Sequence, residues 1–136
     1  MTELTFWERP GGRVLRWVAF VPAGVAVCVV SNVVLLWFLT AAAKAFGMTF
    51  WLPWLWVLSA GYAGWFGVTF GAAVAPHGGR RVASVILATL IAFIGATAAV
   101  VNAMDHHWAM LIASIVMAGA AAIGSAFVHV GNPATA

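Results

Sequence analysis

Four long apolar stretches separated by short polar breaks set the pattern of this chain. The first runs uncharged from Trp17 to Ala43, 27 residues. As a helix it would measure ~40 Å against a hydrocarbon core of ~30 Å. It must therefore tilt or protrude, and Pro22 is a candidate kink near its start. Lys44 closes it, and 47–52 turn the chain. A second helix is expected over about 53–75, with Pro53 in a first-turn position. Trp51, Trp54 and Trp56 at its opening form an aromatic cluster typical of a membrane–water boundary. A turn from Pro76 to Arg81 leads to a third helix over about 82–104. Asp105, His106 and His107 make the next turn, and a fourth helix follows over about 108–130. Residues 1–16 hold five charges, and Pro10, Gly11 and Gly12 are expected to interrupt helix there. They read as a cytoplasmic or interfacial segment with Trp7 and Trp17 at headgroup level, and 131–136 as a frayed cytoplasmic tail.

Composition turns this pattern into a statement about solvent. Charged residues make up 7% of the chain and apolar residues 65%. A water-facing surface needs roughly 25% charged residues, so lipid must be the solvent for most of the molecule. The fold class that follows is all-α, a single polytopic membrane domain built as a four-helix transmembrane bundle. A basic start before an apolar run also resembles a signal peptide, with Ala41–Ala43 as small residues of the cleavage type. The first run is far longer than a signal core of about 7–15 residues, so it is assigned as a span.

The few cations carry topology. Arg9, Arg13, Arg16, Arg80 and Arg81 fall on one side of the membrane and Lys44 alone on the other. The positive-inside rule then places both termini and the 76–81 turn in the cytoplasm. Six cations in such a chain make no nucleic-acid footprint.

Small residues suggest where helices touch. Lipid supplies little hydrophobic drive for association, so close backbone approach matters. The second helix carries Ser59, Ala63, Gly67 and Gly71 at four-residue spacing, with Ala60 and Gly64 in a parallel row. This face is expected at the centre of the bundle or at a subunit interface. The third and fourth helices offer further small residues, among them Gly95, Gly119 and Gly124.

Candidate chemistry is sparse. No charged side chain lies at mid-depth, and pumps and exporters usually need a membrane carboxylate there. Asn32, Ser59, Tyr62 and Thr69 are the candidates for a weakly polar path. Their bland alternative is an interhelical hydrogen bond from Asn32 to Ser59 or Tyr62. Asn102 is expected to meet headgroups or cap a helix end. Gly78 and Gly79 could offer backbone N–H groups, with Arg80 and Arg81, to an anion or lipid phosphate; the alternative is a tight turn whose arginines fix orientation. Adjacent Asp105, His106 and His107 do not readily converge on one metal ion and would need ligands from elsewhere. His77 and His129 lie at the edge of the bundle, where a haem is poorly placed. No cofactor is expected, and no nucleophile elbow, zinc-protease or phosphate-loop motif is present. Cys28 is alone, so an intramolecular disulfide is excluded.

From Gly61 to Val130 the chain resembles small uncharacterised bacterial four-helix membrane proteins. The residues concerned are Gly64, Gly67 and Gly71, then Ala75-Pro76, Arg80-Arg81, Val82-Ala83 and Trp108. The resemblance implies the same topology and a bacterial inner membrane, and brings no activity with it. The expectation for function is therefore a non-enzymatic protein acting through helix contacts, as an accessory subunit or a homo-oligomeric scaffold. A small channel or transporter is the alternative, and a metal- or haem-binding subunit the weaker one.

Topology gives the first prediction. A reporter fused after Ala136 should be active only in the cytoplasm, and a cysteine placed at Asp105 should react with an impermeant thiol reagent from outside. The opposite labelling pattern would reverse the orientation.

Overall fold

The computed structural model describes residues 10–130; residues 1–9 of the candidate interfacial segment 1–16, with Trp7, and the tail 131–136 lie outside them. Four helices make up the fold: α1 (Pro10–Ala45), α2 (Leu52–Val74), α3 (Arg80–Met104) and α4 (Trp108–Val130). Each is long and apolar enough to span a membrane. The chain is an all-α, four-helix transmembrane bundle, and no strand occurs among the described residues.

The second, third and fourth helices lie within two residues of the expected bounds. The first does not. α1 begins at Pro10 and continues through Gly11, Gly12 and Pro22 for 36 residues, about 54 Å of helix. Pro10 occupies the helix start, where its missing N–H has no intrahelical partner to lose. The expected interruption at 10–12 is thus corrected: charge at Arg13 and Arg16 ends the apolar stretch without ending the helix.

Two turns on the lysine-bearing side use the same device. After α1, Gly47 adopts φ +69°, its N–H bonds to Lys44 O, and Met48 N–H bonds to Ala43 O. After α3, His106 adopts φ +57°, its N–H bonds to Ala103 O, and His107 N–H bonds to Asn102 O. Both are Schellman closures, in which a left-handed residue lets two amides return to the last helical carbonyls. Glycine enters that conformation without a Cβ penalty, whereas a histidine pays about 1–2 kcal/mol.

α2 is the hub. It touches α1, α4 and, less extensively, α3, while α3 packs mainly on α4. α1 is held almost solely by α2. Coverage follows this arrangement: 50% of the residues in the α2 membrane window are buried, against 11% in α1. Leu87 of α3 is the largest fully buried side chain, and it fills the notch between Gly24 of α1 and Gly71 of α2.

The two closures predict opposite responses. His106→Gly should raise stability in mixed micelles by about 1 kcal/mol, and Gly47→Ala should lower it by a similar amount. Equal small effects from both, measured by denaturant unfolding, would count against the left-handed backbone at these positions.

Candidate functional site

The glycines of α2 divide between two neighbours. Gly67 lies against α1, where an added Cβ would stand 2.8 Å from Cys28 Cβ and 3.1 Å from Gly24 O. Gly71 lies against the same helix, 2.8 Å from Gly24 Cα on the same construction. Gly64 meets α4 instead, where a Cβ would run into the Met117 carbonyl. Gly124 answers from α4, 3.1 Å from Trp65 O. Ser59 and Ala63 are fully buried alongside. The smooth face proposed as centre or interface is therefore occupied within the chain, on both sides of α2. α3 and α4 approach similarly at Gly95, where a Cβ would lie 2.8 Å from Ser114 O.

The candidates for a polar path are not brought together by hydrogen bonds. Ser59 Oγ donates to Trp56 O at 3.1 Å, and Thr69 Oγ1 to Trp65 O at 3.0 Å, each within its own helix. Such back-bonding is the usual way for a hydroxyl to satisfy itself in lipid. Tyr62 is exposed and stacks on Phe66 at 4.9 Å. Asn32 bonds to neither Ser59 nor Tyr62, and its buried Oδ1 has no partner among the described residues. The expected interhelical bond from Asn32 is thus replaced by an orphan acceptor.

Interhelical polar contacts occur elsewhere. Ser84 Oγ and Ser125 Oγ pair at 3.3 Å between α3 and α4. Near the other end of the same pair, Asn102 Nδ2 donates to Ser114 Oγ at 3.3 Å. Asn102 thus ties two helices across the turn that separates them. Single serines in apolar runs are too common to single out from sequence. Matched depth on adjacent antiparallel helices was the available signal.

The 76–81 turn is also differently built than the anion reading requires. Gly79 N–H bonds to Pro76 O at 2.8 Å, and the Trp17 ring lies over it, so that an added Cβ would stand 2.9 Å from Trp17 Cη2. Gly79 therefore has no amide to offer. Gly78 is exposed with open space around it, and Arg80 and Arg81 are half-buried at the start of α3. A cation not singled out beforehand is active here: Arg16 Nε donates to Val74 O at 3.0 Å. It caps the last turn of α2, where carbonyls lack partners and the helix dipole is negative.

The histidines are dispersed. His106 and His107 are exposed beside exposed Asp105, and His129 Nδ1 pairs with Ser125 O at 2.8 Å. The side chain of His77 lies outside the described ones. Among the described residues, no three His, Cys, Asp or Glu side chains are grouped to hold a metal.

One concavity stands out on the lysine-bearing half. A furrow of about 820 Å³ runs between α1 and α4 over α2. Leu35 and Leu39 form one wall and Val116 the other, with Gly61 and Tyr62 beneath and Trp51 and Trp54 alongside. Tyr62 heads a ladder of stacked rings that continues through Phe66 to Phe70, the latter pair 4.6 Å apart. Compared with family models, curated proteins and solved structures, the chain matches none.

Packing at Gly64 predicts a sharp contrast. Gly64→Ala places a methyl against backbone that cannot swing aside, and should destabilise by about 1–3 kcal/mol. Gly119→Ala, at a site with nothing within 4 Å, should leave the unfolding midpoint unchanged or higher. Equal losses would show that α2 and α4 do not meet at Gly64.

Proposed function

We propose that this small integral membrane protein is non-enzymatic and works through helix contacts, as an accessory subunit or a homo-oligomeric scaffold. The furrow between α1 and α4 carries the reading. Its walls are apolar, and it opens toward the bilayer on the side of α2 that no helix of the chain covers. A concavity of this kind is completed by van der Waals contact with an inserted helix, the main source of helix association in lipid. The exposed aromatic ring of Tyr62 adds polarizable surface there. The proposed contact thus shifts from the small-residue face of α2, which is occupied internally, to the furrow. The bacterial inner membrane is the proposed location, on the strength of the resemblance and of the arginine distribution.

A channel or transporter has less support. Ser59 and Thr69 are satisfied within α2, and Tyr62 faces outward. A metal- or haem-binding role is supported less again, since the described histidines and Asp105 do not group.

The test is the mass and composition of the gently solubilised particle, with crosslinking in the native membrane. An assembly larger than one chain is expected, and Leu58→Trp, which fills the furrow from its exposed rim, should reduce it severalfold. A particle of one chain with no companion subunit would overturn the reading, and unchanged assembly of Leu58→Trp would remove the furrow from it.

A further inference from the structure

We propose that the arginine-bearing end of the bundle holds the phosphate of an anionic phospholipid, at a cradle formed jointly by α1 and α3. The sequence places Arg80 and Arg81 at this boundary. The fold adds Arg13 and Arg16. Arg16 is anchored to Val74 O, and the next residue, Trp17, lies over Gly79. The start of α3, and with it Arg80, is therefore clamped beside the first two turns of the membrane-facing part of α1. Arg13 precedes Arg16 and Trp17 by three and four residues, so it shares their helix face.

Three further observations converge on an anion. Arg80 Nε is buried and has no hydrogen-bond partner among the described residues. Among the described residues no side chain caps the α3 N-terminus, and the positive end of its dipole favours an anion there. Among the described residues the one carboxylate, Asp105, ends α3 at the opposite side. An unpaired guanidinium N–H and a dipole at the headgroup level suit a phosphate oxygen, which accepts charge-assisted bonds from arginine. Trp17 and Phe20, edge to face at 5.5 Å, supply an aromatic boundary between headgroup and acyl chain. Gly79, covered by Trp17, is part of the clamp and not of the phosphate contact.

A lipid is favoured over free phosphate because the cradle lies at the end of two apolar spans, where a lipid's acyl chains would remain in hydrocarbon. The experiment uses the full chain in neutral detergent micelles, titrated separately with phosphatidylglycerol, phosphatidylcholine and inorganic phosphate, with thermal unfolding and native mass spectrometry as readouts. Phosphatidylglycerol should raise the midpoint and remain bound, and added salt should weaken the effect. Arg80→Gln should weaken apparent phosphatidylglycerol binding about fivefold, with the midpoint in phosphatidylcholine unchanged. Arg13→Gln, an exposed position, provides the same test without touching packing. Lys44→Gln, at the other end, should retain wild-type preference. Equal responses to the two lipids, or wild-type preference in both arginine variants, would overturn the proposal. A full response to inorganic phosphate alone would replace the lipid with a free anion and overturn it as stated.

Discussion

Backbone proximity at α2 governs the fold. In lipid the side chains gain little by leaving their solvent, so helices must gain by touching closely. Gly67 and Gly71 admit α1, and Gly64 admits α4, at distances where a methyl would meet backbone atoms. Every other feature is arranged around this double approach. Leu87 enters the notch where α1 and α2 cross, and α3 touches α2 less extensively than it touches α4. The furrow exists because α1 and α4 each pack extensively on α2 and leave a gap between them.

Polar groups play a different part from the glycines. Hydroxyls inside α2 and α3 return to their own helices, at Ser59, Thr69 and Thr89. Such bonds satisfy the hydroxyl without choosing a neighbour. Bonds that do choose one include Arg16 to Val74, Ser84 to Ser125 and Asn102 to Ser114. An unsatisfied polar group in hydrocarbon costs on the order of several kcal/mol, so the orphan oxygen of Asn32 is a costly atom within its span.

The four spans were legible because charge is so scarce that each polar break marks a turn. The first boundary was not. Hydropathy reports where lipid ends, whereas helix continues as long as backbone bonds do, and arginines at 13 and 16 extend toward headgroups from a helix that persists to Pro10. The small row in α2 was visible as a face, yet its division between α1 and α4 depends on how helices cross, which four-residue spacing does not encode. Gly78 and Gly79 look equivalent in sequence; the turn hydrogen bond and the overlying Trp17 separate them. Asn102 was assigned by its closeness to a helix end, and its partner Ser114 lies twelve residues on, across the turn.

The three partner-choosing bonds are not evenly spread. One joins α1 to α2 and two join α3 to α4, while among the described residues none joins α2 to α4, whose contact is made by glycines set against backbone and apolar side chains such as Val116, Met117 and Trp65. The chain is thus two hairpins, each fastened within itself, laid together along a seam that has shape but no fastening. During synthesis the first hairpin already carries its own polar fastening, Arg16 to Val74, while the second, with the Leu87 that fills its notch, is still unmade. The second can then form in the same way and slide into register against a finished surface. Biogenesis in this order never leaves a polar side chain waiting in hydrocarbon for a residue from the other half.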